Sequence, residues 1–112
     1  MSHLVRDRRE RINYMLHETE VSTKQNIDYF EEAKQNNPNN PPKLLFEGLI
    51  WTEIEEFLAT MAKYTGLRDR VLKEYFDILK NCGDLEVDRK NPRRFRNKSV
   101  TERYLVEHPE LA

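Results

Sequence analysis

The stretch "LRDRVLKEYFDILKNCGDLEVDRKNPRRFRNKSV", residues 67–100, decides the fold because its hydrophobic period changes in the middle. Before Gly83 the apolar residues recur at helical spacing, and residues 68–81 form the best amphipathic helix of the chain. Its apolar stripe consists of Leu72, Tyr75, Leu79 and Cys82. After Gly83 the pattern alternates, so that Leu85 and Val87 lie on one face. The stretch therefore predicts a helix, a glycine stop and a strand.

The basic segment after this strand is predicted to be a hairpin turn and a return strand. "KNPR" has the composition of a turn, and "RFRNKSV" (94–100) returns as a strand with Phe95 as its buried anchor. The segment carries six cations without an acid among them, although the whole chain has 19 Lys and Arg against 20 Asp and Glu. The cations are Arg89, Lys90, Arg93, Arg94, Arg96 and Lys98. Two interpretations are open: a surface for a polyanion, or a charged turn solvated by water.

Upstream of residue 67 the chain predicts a short strand and a second amphipathic helix. "IWT" is the strand, and the helix over 52–64 is expected to begin at Thr52, because Thr52 and Glu55 have the capping-box spacing. Its buried stripe is Ile54, Phe57, Leu58 and Met61. A Thr-Gly pair ends this helix. Before the strand, "KLLFEGLI" is expected to form a helical turn that ends at Gly48.

The clearest break in the chain is "NNPNNPPK", residues 36–43. Its three prolines remove backbone donors and restrict the residues before them, so neither a helix nor a central strand passes through. It divides the chain into an N-terminal helical arm (1–36), a Pro/Asn-rich linker (37–43) and a second part (44–112). That second part is expected to end in a short helix before Pro109.

The arm is expected to hold two helices rather than one helix over residues 2–35. Val21, Ser22 and Thr23 are mediocre helix formers, and Ser22 with Gln25 repeats the capping-box spacing. The apolar stripe of the arm is Val5, Ile12, Leu16, Ile27 and Phe30. It is covered either by the core of the same chain or by the arm of a second copy. We expect a homodimer through these N-terminal helices.

The order of elements from Gly48 to Val100 resembles a winged-helix domain. The residues that carry the resemblance are "IWTEIEEFLATMAKYTGLRDRVLKEYFDILKNCGDLEVDR" and the wing-like "KNPRRFRNKSV". The typical positions of the family are occupied by Leu79, Gly83, Leu85 and Val87. The resemblance covers about half of the chain. It implies a mainly α fold with a small β-hairpin: a winged-helix-like domain preceded by an N-terminal helical arm. Either "KLLFEGLI" or the arm would serve as the first helix of that domain.

The resemblance to winged-helix domains also implies a function for the chain. Winged-helix (winged helix-turn-helix) proteins place a recognition helix in the major groove of double-stranded DNA and a wing on the phosphates. Here the helix over 68–81 and the basic wing over 89–98 would do so, which implies a DNA-binding transcriptional regulator. The expected DNA-binding residues are Arg68, Arg70, Lys73, Arg89, Lys90, Arg93, Arg94, Arg96 and Lys98. Asp69, Glu74 and Asp77 oppose this interpretation, because acids on a recognition helix repel phosphate.

The acids and the net charge of −1 keep an alternative open: a protein–protein interaction module, winged-helix-like or all-helical, that binds no nucleic acid. RNA is not separated from DNA by anything in the sequence. A solvated helix face explains the "RDRRER" motif of the arm better than a second DNA patch does. Tyr75 and Phe76 are expected in the core rather than as platforms for bases.

Other classes of function find little support. The single cysteine, Cys82, excludes an intrachain disulfide and is expected to be buried. His3, His17 and His108 are far apart and lack metal-ligand spacing, and no catalytic arrangement stands out, so we expect no enzyme, cofactor, metal or small-molecule ligand. No stretch has the length of a signal peptide or a membrane span, and we expect a cytoplasmic protein, nucleoid-associated if it binds DNA.

Overall fold

The computed structural model describes residues 7–112. The first six residues of the predicted arm, Val5 among them, lie outside the described range. The chain is mainly α with a small antiparallel sheet, which confirms the predicted class. The elements are α1 (Arg8–Asn36), α2 (Pro42–Leu49), β1 (Thr52–Glu53), α3 (Ile54–Thr65), α4 (Asp69–Asn81), β2 (Leu85–Val87), β3 (Arg94–Asn97) and α5 (Lys98–Glu107), followed by a 3₁₀ turn at Pro109–Leu111. Among the helices of this range, none combines the length and the apolar character needed to cross a bilayer.

The N-terminal helix α1 is continuous, so the prediction of two helices is wrong. The hydroxyl oxygen of Thr23 accepts a hydrogen bond from the backbone N–H of Asn97 at 2.8 Å, and the hydroxyls of Ser22 and Thr52 lie 2.6 Å apart. These bonds hold the weak helix formers at 21–23 in place, because tertiary contacts override small differences in helix propensity. The N-cap is Asp7, whose side chain accepts from the N–H of Glu10.

Helix α1 packs on two hydrophobic clusters of the same chain. Its Met15 belongs to the larger cluster, which also holds Phe57, Leu58, Met61, Leu72, Tyr75, Phe76, Leu79, Leu85 and Phe95. Its Phe30 belongs to the smaller cluster, with Phe46, Ile50 and Leu111. Ile12 and Leu16 pack against the first cluster, and Ile27 against the second. The described part of the apolar stripe is therefore covered by the core of its own chain.

Two glycines end the helices that frame the middle of the chain, as predicted. Gly66 (φ +73°) follows α3 and Gly83 (φ +87°) follows α4, and both lie in the left-handed region that favours glycine. The apolar stripe of α4 is buried except at Cys82, which is exposed, so its predicted burial is wrong. The reason is that α4 ends at Asn81 and Cys82 is the C-cap residue, beyond the last packed turn.

The three strands form an antiparallel sheet in the order β1-β3-β2. Phe95 lies at its centre, opposite Thr52 on one side and Val87 on the other, and is fully buried. Because side chains alternate along a strand, Phe95 and Asn97 face the helices, while Arg94 and Arg96 lie on the outer face. The predicted hairpin is confirmed.

Three predicted boundaries shift for local reasons. Thr52 does not cap α3, because it lies in β1 and its hydroxyl accepts from the amide of Asn26 at 2.9 Å. The return strand ends at Asn97 rather than at residue 100, since the side chain of Asn97 accepts from the N–H of Val100 and begins α5. The helical turn over 43–50 is the two-turn helix α2.

Candidate nucleic-acid interface

The turn between β2 and β3, residues 88–93, is held by hydrogen bonds at both ends and is called the basic turn below. The backbone N–H of Asp88 donates to the carbonyl of Arg94 at 3.0 Å. The carboxylate of Asp88 accepts from the N–H of Lys90, and the side chain of Asn91 accepts from the N–H of Arg93. The carbonyl of Arg93 accepts from the N–H of Ile54 at 2.8 Å, which ties the turn to the start of α3. The turn is therefore ordered before any partner binds.

Three cations of the basic turn point into solvent. Arg89, Lys90 and Arg93 are exposed, and none of them makes an ion pair with any residue of the described range 7–112. Exposed cations on an ordered turn lose little conformational freedom of the backbone when they meet a phosphate. These three are the strongest candidates for contact with a polyanion.

Arg94 and Arg96 have a different environment, because acids of β2 and its end lie beside them on the outer face of the sheet. The guanidinium of Arg94 donates to the carboxylate of Asp88 at 2.5 Å, and that of Arg96 lies 3.0 Å from the carboxylate of Glu86. Arg96 also lies over the ring of Trp51, 4.3 Å from its centroid. Both arginines are largely covered, and each has an acid within ion-pair distance; Arg96 also lies 3.9 Å from Glu47 of α2.

Asp88 is the residue that links the sheet to the turn, since it binds Arg94 with one oxygen and the N–H of Lys90 with the other. Burial raises the pKa of Asp88, but the hydrogen bonds from Arg94 and from the backbone outweigh burial, so that its pKa lies below the usual value. The ionised carboxylate is therefore part of the folded hairpin. Asp88 is not among the residues that the sequence predicts for this site.

Lys98 lies far from the basic turn. It follows β3, whose residues rise by about 3.4 Å each, so its Cα is roughly 17 Å along the chain from Arg93. Its backbone N–H donates to the carbonyl of Asp84 at the opposite end of the hairpin. Lys98 is exposed but does not belong to the same surface as the turn.

The predicted recognition helix α4 presents a face of mixed sign. Arg68 and Arg70 are exposed at its start and make no ion pair within residues 7–112. Lys73 lies 3.0 Å from the carboxylate of Asp69, and this hydrogen bond raises the pKa of the lysine. Glu74 lies 3.2 Å from Arg8 of α1. Asp69 and Glu74 thus occupy part of the surface that would face a DNA groove. They pair with Lys73 and Arg8 rather than with Arg68 or Arg70.

A hollow between α3, α4 and the basic turn brings these elements together. It has a volume of about 290 Å³, and its apolar floor contains Ile54, Leu58, Phe76, Val87 and Pro92. Its rim contains Glu55, Lys73, Asp77 and Lys80. The turn therefore lies beside the middle of α4, while Arg68 and Arg70 extend the exposed face of the helix towards its start.

The predicted aromatic residues of α4 lie in the core. Tyr75 and Phe76 are buried, and the ring of Phe76 meets that of Phe95 edge-on at 5.1 Å between centroids. The hydroxyl of Tyr75 accepts from the guanidinium of Arg11 at 2.8 Å. Neither ring is available as a platform for a base.

Comparisons of the chain with protein-family models, with curated proteins and with solved structures found no match in any of the three. Within residues 7–112 no three His, Cys, Asp or Glu side chains come together as a metal site. The interpretation of this surface therefore depends on its own geometry and charge.

Proposed function

We propose that this chain is a DNA-binding protein of winged-helix type that acts as a transcriptional regulator in the cytoplasm, associated with the nucleoid. The basic turn grips phosphates of double-stranded DNA, and the first turns of α4 enter the major groove. Arg89, Lys90 and Arg93 supply the phosphate contacts, while Arg68 and Arg70 face the bases.

The observation that carries the proposal is the ordered basic turn with three exposed cations that make no ion pair among residues 7–112. Arg94 and Arg96 of the same hairpin each pair with an acid, and the exposure of Arg89, Lys90 and Arg93 sets these three cations apart from them. The order of α3, α4 and a three-stranded sheet with its hairpin turn beside α4 also agrees with the winged-helix arrangement.

The number of cations in the turn determines how strongly the affinity for DNA depends on salt. Each neutralised phosphate contributes about −0.9 to the slope of log K against log salt, so three contacts give a slope of about −2.7. Affinity would then fall by roughly 40-fold when salt rises fourfold. Sequence preference is expected to be modest, since acids alternate with cations along α4 and leave two arginines for base contacts.

The test is fluorescence anisotropy with a labelled duplex over a series of salt concentrations. We expect the variant Arg89→Ala/Arg93→Ala to bind more weakly and to have a slope shallower by about 2, because two phosphate contacts are lost. Lys24→Ala/Lys43→Ala is the matched control. It removes two exposed cations of α1 and α2 and is expected to leave the slope unchanged.

Two results would end the proposal. One is the absence of duplex binding at low salt. The other is binding by Arg89→Ala/Arg93→Ala with the same slope as the parent chain, which would show that the cations of the turn do not meet phosphate. A single-stranded RNA of equal length, run in parallel, separates DNA from RNA as the preferred ligand.

A second candidate function is a protein-interaction module without nucleic-acid binding. The observation that favours it is the mixed sign of the α4 face, where Asp69, Glu74 and Asp77 stand among the cations. A partner that remains bound after nuclease treatment and in high salt, together with no duplex binding, would support it. Homodimerisation through the N-terminal helices stays a prediction, although the apolar residues of α1 on which it depends pack within the chain.

A further inference from the structure

A cleft between α1 and α3 has no part in the proposed function, because no residue of the basic turn lines it. It has a volume of about 390 Å³, which is the size of a pocket for a small molecule. Its floor is apolar and consists of Val21, Phe57 and Met61. It is called the α1–α3 cleft below.

The two walls of the cleft stand on a common core. Met15 of α1 and Met61 of α3 belong to the larger hydrophobic cluster. At one end the walls are joined, because the hydroxyls of Ser22 and Thr52 lie 2.6 Å apart. At the other end the pKa of Tyr14 is raised by burial and then by its electrostatic interactions with Glu18 and Tyr64. A carboxylate and an aromatic ring of the lining thus lie near each other at this end.

The charges that line the cleft all have one sign. Glu18 lines it from α1, where it is half-buried, and Glu56 lines it from α3, where it is exposed. Neither glutamate makes an ion pair with any residue between 7 and 112. The lysines nearest to lining residues in sequence, Lys24 and Lys63, do not line the cleft. The cleft therefore attracts a cation and repels an anion.

The lining suits an organic cation better than a metal ion. Calcium and magnesium take six or more oxygen ligands, whereas no three His, Cys, Asp or Glu side chains of the described residues come together as a metal site. The hydroxyl of Thr52 is already bonded to Ser22 and to the amide of Asn26. The apolar floor offers no further oxygen. A ligand with an apolar body and one positively charged end fits both the floor and the two carboxylates.

We propose that the α1–α3 cleft binds a small amine that is protonated at neutral pH and carries an aromatic or aliphatic body. Glu18 and Glu56 balance the charge of its ammonium, and the ring of Tyr64 attracts the same group through its π face. The body of the ligand covers Phe57 and Met61. No sequence motif predicts this ligand, because the walls come from segments of α1 and α3 that are far apart in the chain.

The first test compares three ligands of similar shape on the unaltered chain without DNA. Binding is followed by a chemical-shift titration of the isotope-labelled protein. We expect 2-phenylethylamine to saturate with a Kd below about 5 mM and to shift the amides of both walls. We expect the neutral 2-phenylethanol to bind at least about tenfold more weakly, and the anion phenylacetate not to bind. This comparison needs no variant, so it does not depend on the folding of one.

The ammonium could also belong to a lysine of another protein, and a fourth ligand separates the two sources. A lysine blocked at its backbone amine and carboxyl carries the same charge on a polar body. We expect it to bind about tenfold more weakly than 2-phenylethylamine, because it leaves the apolar floor uncovered. Equal affinity would overturn the proposal of an apolar amine.

Variants of the walls test the location. We expect Glu18→Gln/Glu56→Gln to weaken the affinity for 2-phenylethylamine at least about tenfold, and Tyr64→Leu to weaken it about threefold. Thr60→Arg is expected to abolish binding, since it brings a guanidinium into the lining.

Matched controls make the same changes outside the cleft. Glu32→Gln/Glu102→Gln removes two exposed carboxylates, and Ala59→Arg adds a guanidinium at the exposed residue next to Thr60. Both are expected to bind the amine like the parent chain.

Three outcomes would overturn the proposal: no saturable binding of the amine, equal binding of the amine and the alcohol, or undiminished binding by Glu18→Gln/Glu56→Gln or Thr60→Arg. The proposal does not rest on DNA binding, and each titration is made without DNA. Failure of the amine to bind therefore leaves the DNA-binding proposal untouched, and the reverse also holds.

Discussion

The basic turn and the outer face of the sheet contain the same kinds of residue with opposite environments. Arg93 in the turn is exposed and makes no ion pair within residues 7–112, whereas the next residue, Arg94, is bound to Asp88. Two residues further, Arg96 is covered by Trp51 and paired with Glu86. One run of cations is thus divided into a group that is free to meet a ligand and a group that stabilises the hairpin.

The position of an arginine within the hairpin, rather than the density of charge around it, determines whether its side chain is exposed or paired with an acid. The outer face of β2 carries acids, and the antiparallel register places them beside the arginines of β3. The turn has no partner strand, so no acid of the described residues lies opposite its cations. Variants that remove a charged group from either environment test this comparison.

The largest effect is expected from Asp88→Asn. The carboxylate is buried and is held by both Arg94 and the backbone of the turn, so its loss leaves a half-buried guanidinium without its anion. We expect the free energy of unfolding to fall by about 3 kcal/mol, measured by urea denaturation at neutral pH.

Acid pH gives a control for this variant. The pKa of Asp88 is lowered in the folded chain, so its contribution to stability is present above the unfolded pKa of about 3.9 and is lost as pH falls through the folded value. The stability difference between the parent and Asp88→Asn should therefore shrink as pH falls below about 4. A difference that is constant with pH would show that the ionised carboxylate is not the source.

A smaller loss is expected from Arg96→Ala. The substitution removes the contact with Trp51 and the bond to Glu86, but the half-exposed Glu86 regains water. We expect a loss of about 1.5 kcal/mol by urea denaturation. Arg96→Lys should restore little of it, because an ammonium cannot stack on the indole while it binds the carboxylate as a planar guanidinium does.

The smallest effect on stability is expected from Arg93→Ala in the turn. Its side chain makes no ion pair within the described range, so the free energy of unfolding should change by less than about 0.5 kcal/mol. A loss as large as that of Arg96→Ala would remove the distinction between the two groups of cations.

Much of the central part of the fold could be predicted from sequence because its signals are local. The stripe of α4, the stop at Gly83 and the alternation after it each depend on neighbouring residues. The continuity of α1 could not be predicted in this way. It depends on bonds from Ser22 and Thr23 to Thr52 and Asn97, which lie far along the chain.

The division of the basic segment into exposed and paired cations has a signal in the sequence. Glu86 and Asp88 alternate with the apolar residues before the turn, and Arg94 and Arg96 alternate with Phe95 after it. Antiparallel pairing of two such strands places acids and arginines on one face. By contrast, the exposure of Cys82 depends on where α4 ends, which a periodic pattern does not define to one residue.

The most direct test of the central claim is the affinity of Asp88→Asn for duplex DNA, measured by anisotropy at a temperature where circular dichroism shows the variant folded. The variant has one negative charge fewer at the basic turn, so charge alone predicts tighter binding. In our account Asp88 orders the turn, and its loss adds about 1.4 kcal/mol of ordering cost, which corresponds to about tenfold weaker binding. Affinity that is equal to or higher than that of the parent chain would contradict the account.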